Sequence, residues 1–227
     1  MTKQLAEVQQ TTVVLATSNP GKTLEFRRLL RALPIQLVAA HELLGMSWKV
    51  DEDADTLEGN AIKKARAIAN ETMLLTLADD SGLEVDALGG APGVHSARFA
   101  GDGATAQQRN AALLEAMRDV PEGVRTARFR CVLCLVDPWV LGAGAGSDIV
   151  TCSGVCEGSI GFEARGDGGF GYDPLFVVDG QGCTMAQLLP EEKDQLSHRG
   201  RAAAAMCDEI RKVLQRRLDN VKVDRLG

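Results

Sequence analysis

The stretch that decides the fold is TTVVLATSNPGKTLEFRRLLRALPIQLVA, from Thr11 to Ala39. It begins with TTVVLA, which predicts a strand ending at Ala16. Apolar residues then recur at the i, i+3, i+4, i+7 spacing of a helix, namely Phe26, Leu29, Leu30 and Leu33. Pro34 ends this helix, and IQLVA predicts a second strand. A strand, a helix and a strand in such close succession indicate the start of an α/β sheet.

The same alternation continues after this stretch. An acidic segment, VDEDAD, precedes a helix that is predicted to begin near Thr56. One face of that helix is apolar, with Leu57, Ala61, Ala65 and Ile68. MLLTLA, from Met73 to Ala78, is continuously apolar, as in a strand that is covered on both sides. The order of elements therefore predicts an α/β protein with helices on both faces of a sheet.

The second half of the chain has a different character. Residues 79–93 are dense in Asp and Gly and predict a loop or an irregular strand. Thr105 is suited to cap a helix that extends to residue 120. Two strands, Arg125–Asp137 and Asp148–Glu157, predict a hairpin that extends the sheet, joined by the glycine-rich VLGAGAGS. A short strand, LFVV, and a helix that begins after Ser197 complete the chain.

Composition excludes several classes of protein. The chain has 227 residues, of which 45% are hydrophobic and 25% are charged, so it is neither disordered nor too small for a core. No apolar run approaches the roughly 18 residues of a membrane span. The net charge of −6 argues against duplex nucleic acid as the main partner. The N-terminus lacks the apolar core of a signal peptide, which favours a cytoplasmic location. We expect residues 1–10 to form a flexible extension and residues 11–227 to form one domain.

The six cysteines are predicted to be core residues. Cys131 and Cys134, followed by Cys152 and Cys156, loosely match the spacing of a zinc ribbon. However, TARFRCVLCLVD is predicted to be a strand, and positions three apart on a strand point to opposite faces. The two thiols of the first pair could not then share one tetrahedral ion. Small buried hydrophobic residues are the favoured interpretation.

Two segments of the first half could carry chemistry. ATSNPGKT, Ala16 to Thr23, joins a strand to a helix, where backbone N–H groups and the helix dipole favour phosphate. It differs from the P-loop pattern because Ala16 stands at the first glycine position, and an ordinary turn remains an alternative. ADDSGL, Ala78 to Leu83, places two carboxylates at the predicted end of a strand, which suits Mg²⁺ and the activation of a water molecule. A solvated turn is the alternative there.

Two segments of the second half complete the candidates. GDGGFGYDP, Gly166 to Pro174, has glycines that allow close approach of a flat ligand, and aromatic rings that could stack on a base. EEKDQLSHRG places His198 and Arg199 in the first turn of the last helix, where the helix dipole disfavours cations. A hairpin loop and a capped surface helix are the respective alternatives. Taken together, the four segments describe a nucleotide site.

Five segments, in this order along the chain, resemble the inosine/xanthosine triphosphate pyrophosphatases: TSNPGK, TLEGNAIKKA, ADDSGLEVDALGGAPGVHSARFAG, GGFGYDPLF and EEKDQLSHRG. They extend from Thr17 to Gly200 and so cover nearly the whole chain. The resemblance implies a mixed α/β fold with a long central sheet, flanking helices and two lobes around an active-site cleft. It also implies a homodimer.

The resemblance assigns roles to individual residues. It implies a phosphate-binding turn made of Thr17, Ser18, Asn19, Pro20, Gly21 and Lys22, with Lys64 as a further phosphate-side candidate. Asp80 corresponds to the proton acceptor and, with Asp79 and an upstream acid, to the Mg²⁺ ligands; Glu52 is our choice of acid, and Asp51 is the alternative. Ser81 would contact the substrate. The base-side residues are Phe170, Gly171, Tyr172, Asp173, Lys193, His198 and Arg199.

A few positions depart from the family pattern. His95 stands where a tyrosine is usual, and the aromatic residue that follows is Phe99. Asp53 and Ala54 replace a Thr-Gly pair after the metal-binding acid, and VLGAGAGS elaborates a peripheral hairpin. None of these changes removes a catalytic group.

The implied activity is Mg²⁺-dependent hydrolysis of noncanonical purine nucleoside triphosphates, ITP, dITP and XTP, to the monophosphate and pyrophosphate. This activity would remove noncanonical nucleotides from the nucleotide pool. Two alternatives remain at this point. One is a P-loop-like ATPase or kinase that uses ATSNPGKT, and the other is a nucleotide-binding module without turnover.

Overall fold

The structure is a computed structural model that describes residues 10–45, 49–140 and 149–224. Its strands are β1 (Thr11–Ala16), β2 (Ile35–Ala39), β3 (Leu75–Val85), β4 (Pro92–Gly93), β5 (Thr126–Val136), β6 (Ile149–Ile160) and β7 (Phe176–Val178). Its α-helices are α1 (Pro20–Leu29), α2 (Ala40–Leu44), α3 (Leu57–Thr72), α4 (Ala106–Ala116), α5 (Pro190–Leu196) and α6 (His198–Asp224). The predicted N-terminal extension, except Gln10, and the segment VLGAGAGS, except Val140, lie outside the described residues.

The strands form a mixed α/β sheet in the order β2-β1-β3-β5-β6-β7, with β4 paired to β3. β1 is parallel to both β2 and β3, whereas β5, β6 and β7 continue the sheet in antiparallel fashion. The predicted strand–helix–strand start and the predicted hairpin are therefore confirmed. No helix in the described ranges is both long enough and apolar enough to cross a membrane.

The predicted end of the apolar strand at Ala78 is wrong, because β3 continues to Val85. The Asp- and Gly-rich half of β3 is held by antiparallel pairing with β5, which extends from Thr76 to Val85. Gly82 permits a close crossing, since a Cβ atom there would lie 2.4 Å from the carbonyl oxygen of Gly93. Asp79 and Asp80 therefore lie inside a central strand and not at its terminus.

Alternate residues of the central strands pack against two different helical layers. Leu15, Leu77 and Cys131 belong to the core with α1 and α6, whereas Ala78 and Cys134 belong to the core with α3. A third core, at the far end of β3 and β5, includes residues of α4 and β7. The cysteine pair thus faces opposite layers, as predicted, and none of the six cysteines forms a disulfide.

The last helix packs directly against the backbone of β6. α6 begins at His198, as predicted, whereas the short helix α5 before it was not predicted. A Cβ atom on Gly154 would lie 2.2 Å from the carbonyl oxygen of His198 and 2.6 Å from the amide nitrogen of Ala202. Only glycine therefore allows β6 to support the first turn of α6 at this distance.

We expect Gly154→Ala to lower the free energy of unfolding by about 1–3 kcal/mol, because the new methyl group would overlap backbone atoms that cannot rotate away. Gly161→Ala, just after β6, is the matched control, because its Cβ atom would meet nothing closer than 3.5 Å. Urea unfolding of both variants makes the comparison. Equal stability of the two would contradict the close packing of α6 on Gly154.

Candidate active site

A cavity of about 430 Å³ opens beside the centre of the sheet. Its walls come from the β1–α1 turn, α3, β3, the segment before β7 and the start of α6. Most of the residues predicted for the site line this cavity: Thr17, Ser18, Asn19, Lys22, Glu52, Lys64, Asp80, Ser81, Phe170, Gly171, Tyr172, Asp173, His198 and Arg199. The other predicted residues do not line it: Pro20, Gly21, Asp79 and Lys193. Five segments that are distant in the sequence therefore meet at one cleft.

The β1–α1 turn is shaped by Asn19, the N-cap of α1. Its Oδ1 atom accepts hydrogen bonds from the backbone N–H groups of Gly21 and Lys22, at 2.9 and 3.2 Å. Pro20 occupies the first helical turn, where its missing N–H group costs nothing. Two of the amides that we expected to face a phosphate are thus already bonded, and the turn offers the cleft its hydroxyl groups and the ammonium of Lys22.

Asp80 lies on the α3 side of β3, beside a lysine. The Nζ atom of Lys64 is 2.7 Å from Oδ1 of Asp80 and 3.1 Å from Oε1 of Glu52. The side-chain amide of Asn60 also donates to Asp80, at 3.4 Å, while its own oxygen accepts from the N–H of Ala54. α3 thus supplies two of the groups that hold Asp80.

Asp79 faces the opposite layer, because neighbouring residues of a strand point to opposite sides. It is fully buried, and its Oδ1 atom is 2.5 Å from Nζ of Lys22. Ser81 donates a hydrogen bond to its Oδ2 atom, which also lies 3.5 Å from Nε of Arg199. The interactions of Asp79 therefore reach α1 and α6, not α3.

The three carboxylates predicted to bind Mg²⁺ divide accordingly into two sets. Within the described ranges, no three His, Cys, Asp or Glu side chains converge as a metal cluster. Glu52 and Asp80 do approach a common cation, the ammonium of Lys64. Two carboxylates, completed by substrate phosphate and water, form a donor set that suits Mg²⁺. Glu52 and Asp80 therefore fit a divalent ion, whereas Asp79 points away from them.

The two adjacent carboxylates have opposite electrostatic environments. Burial raises the pKa of Asp80, and the charge of Lys64 offsets this only in part. Burial also acts on Asp79, but the charges of Lys22 and Arg199 outweigh it and hold the pKa of Asp79 well below its usual range. Two neighbouring acids whose pKa values are driven apart are a common feature of catalytic sites. Asp80 is the one that is suited to accept a proton.

The base side of the cleft is built around Phe170. Lys193 and Arg199 lie over its ring, with Nζ 5.0 Å and Cζ 4.8 Å from the ring centroid. Asp173 accepts from Nζ of Lys193 at 2.6 Å and from the N–H of Phe170 at 2.8 Å. These contacts order the GGFGYDP segment, and Tyr172 anchors it further by donating to the carbonyl oxygen of Ser96.

His198 is buried on the same side of the cleft and lies parallel to Phe129, with ring centroids 4.7 Å apart. Neither of its ring nitrogens has a hydrogen-bond partner among the described residues. Burial and the adjacent charge of Arg199 lower the pKa of His198 well below its ordinary value, so the imidazole is neutral. It is therefore available to form a hydrogen bond with a ligand in the cleft.

Sequence reasoning missed Glu25 and Asn60. Glu25 is buried in α1, with Oε1 2.6 Å from Nζ of Lys193 and Oε2 3.1 Å from Nη1 of Arg199. A signal was present, because Lys22, Glu25 and Phe26 share one helical face, so the buried side of α1 carries charges. Asn60 lies within TLEGNA, but nothing in its spacing indicates the contact with Asp80.

Comparison with known proteins agrees with this geometry. The Ham1 family model matches residues 13–209. The chain is 50% identical to the dITP/XTP pyrophosphatase of Desulforamulus reducens over 190 residues, 84% of this chain and 90% of that protein. It is 46% identical to the enzyme of that name from Geobacter sulfurreducens, over 88% of this chain and 96% of that one. A HAM1 protein from Coxiella burnetii has a similar structure, with a TM-score of 0.77, 40% identity and coverage of 89% and 100%.

We expect the free energy of unfolding to fall as the pH drops below about 6.5, because the unfolded chain then protonates His198 while the folded protein does not. The contribution reaches about 1.4 kcal/mol per pH unit and is absent above that pH. His198→Gln has no imidazole to protonate at this position, so its free energy of unfolding should depend less steeply on pH between 5 and 6.5.

Urea unfolding of both proteins at several pH values measures this difference. His41 and His95 are present in both proteins, so their contributions cancel. Identical slopes would mean that His198 takes up a proton in the folded protein.

Proposed function

Because this chain belongs to the Ham1 family, we propose that it hydrolyses noncanonical purine nucleoside triphosphates to the nucleoside monophosphate and pyrophosphate. Its substrates would be ITP, dITP and XTP. The observation that carries the proposal is the arrangement of the cleft, in which Lys22 and Lys64 flank the carboxylates of β3. In the base-side wall lies His198, whose ring nitrogens form no hydrogen bond with the described residues.

The phosphate end of the cleft binds the triphosphate. Lys22 and Lys64 bring ammonium groups to the cleft, and Ser18 is exposed at the turn. A water molecule attacks the α-phosphorus, its oxygen forms the new bond, and the bond to the bridging oxygen of the β-phosphate breaks. Pyrophosphate then leaves. The two lysines stabilise the negative charge that develops on the phosphate oxygens.

Asp80 accepts the proton of the attacking water. Its carboxylate lines the cleft, and its raised pKa brings it closer to the range of an effective general base. Lys64 and Asn60 hold the carboxylate in place through separate oxygens. Asp79 plays a different part, because it fixes the ammonium of Lys22 from behind the cavity wall.

Glu52 and Asp80 are the residues that would hold a divalent metal ion, which we propose to be Mg²⁺. When bound, such an ion would neutralise charge on the phosphates and help to position the water. The support for it is the pair of carboxylates that already share one cation, together with the oxygen-only character of this donor set.

The base side selects a 6-oxopurine. The neutral imidazole of His198 can donate a hydrogen bond to the 6-oxo group, and Phe170 offers a ring face to the base. Adenine presents an amino group at that position, so buried donors would lose their acceptor. Such mismatches discriminate by several powers of ten. We further propose that the protein acts in the cytoplasm as a homodimer, without nucleic-acid or membrane partners.

We expect ITP incubated with the protein and Mg²⁺ to give IMP and pyrophosphate, while ATP is hydrolysed at least about 100-fold more slowly. Chromatography that separates pyrophosphate from orthophosphate provides the measurement. Orthophosphate from ATP would favour the P-loop-like ATPase or kinase, and binding of ITP without turnover would favour the nucleotide-binding module.

We expect Asp80→Asn to lower kcat for ITP by about 100- to 10,000-fold, because the amide cannot accept the proton. Asp53→Asn is the matched control, since Asp53 is exposed and contacts only the surface residue Lys63 in the described ion pairs. It should retain the full rate. Steady-state kinetics on both variants, with urea unfolding to verify folding, checks this. Full activity of Asp80→Asn would exclude Asp80 as the base.

A further inference from the structure

We propose that Glu25 is a positioning residue for base recognition, which fixes Lys193 and Arg199 in one orientation and thereby sets the preference for a 6-oxopurine over adenine. This inference rests on the proposed function and deepens it. Glu25 does not line the cleft, so it acts through the two cations.

Glu25 is 7% exposed, and each of its carboxylate oxygens holds a different cation. Oε1 lies 2.6 Å from Nζ of Lys193, which belongs to α5, and Oε2 lies 3.1 Å from Nη1 of Arg199, which belongs to α6. Charge-assisted hydrogen bonds are short and directional, so this carboxylate holds both cations at defined positions. One side chain of α1 therefore fixes the positions of two charged groups that belong to two other helices.

The same helix also contacts the ring beneath these cations. A Cβ atom on Gly21 would lie 2.7 Å from the ring of Phe170, so α1 packs closely against it. One turn later, Glu25 holds Lys193 and Arg199 over that ring, at 5.0 and 4.8 Å from its centroid. Phe170 lines the cleft, so α1 contacts this ring and also holds the two cations that lie over it.

Loss of the Glu25 charge would leave the cations paired but not oriented. Lys193 would keep Asp173, and Arg199 would keep Asp79. Without the shared carboxylate, the two buried positive charges would repel each other and move apart. Hydrogen bonds to the base depend on direction, so they would weaken. Phosphate binding would change little, because Lys22 and Lys64 have other partners.

The experiment compares kcat/KM for ITP and for ATP in the wild type and in Glu25→Gln. We expect the ratio of the two values to fall at least about 10-fold, mainly through a higher KM for ITP. Inhibition by inorganic pyrophosphate, which has no base, should stay within about 2-fold of the wild type, because phosphate contacts do not involve Glu25. Glu25→Asp retains the charge on a shorter side chain and should give an intermediate ratio.

Asp194→Asn is the matched control. Asp194 also joins α1 to α5, through a bidentate pair with Arg28 whose Nη2–Oδ1 distance is 2.6 Å, but it lies outside the base-side wall. Asp194→Asn should have the same ratio of kcat/KM for ITP to kcat/KM for ATP as the wild type. An unchanged ratio in Glu25→Gln, or an equal fall in Asp194→Asn, would overturn the inference.

Two further outcomes are distinguishable. If Glu25→Gln does not fold, Glu25→Asp decides, and a ratio equal to that of the wild type would then count against the proposal. If the wild type itself releases no pyrophosphate from ITP, the proposed function fails, and that result is independent of every Glu25 variant.

Discussion

Asp79 and Asp80 are consecutive residues of the central strand, so their carboxylates are buried on opposite faces of the sheet. A buried carboxylate is costly unless a cation or hydrogen-bond donors compensate it. Each face must therefore supply its own cation. α3 supplies Lys64 to Asp80, and the other layer supplies Lys22 and Arg199 to Asp79. The positions of three helices relative to β3 are tied to these two side chains.

This constraint links the two ends of the cleft. Arg199 contacts Asp79 on one side and Glu25 on the other, and Glu25 in turn holds Lys193. The chain of ion pairs extends from the central strand to the base-side segment, where Asp173 closes it. Lys22 contacts Oδ1 of Asp79 and Arg199 contacts Oδ2, so the two cations keep separate partners on the same carboxylate.

Local patterns predicted the main strands and helices, and together with the family resemblance they identified half of the residues that line the cavity. The second half of β3 was not predictable, since its Asp and Gly residues favour a loop and only the pairing with β5 makes it a strand. Because that segment is an extended strand, Asp79 and Asp80 must point to opposite faces of the sheet. Glu25 and Asn60 depend on contacts between distant segments, which no local spacing reveals. The motifs located the site, and the topology assigned its residues to two faces.

The ion pairs also explain why a divalent ion is part of the proposal. Lys22 is paired with Asp79, and Lys64 is shared by Asp80 and Glu52, so the charges of these two lysines are already compensated. A triphosphate brings several negative charges into this site. Attraction by these two lysines would be weak, because carboxylates already compensate their charges. Glu52 and Asp80 would hold a divalent ion, which would supply positive charge for the phosphates and would compete with Lys64 for the carboxylate of Asp80. On this proposal, the carboxylates that compensate Lys22 and Lys64 would also make phosphate binding depend on an added cation.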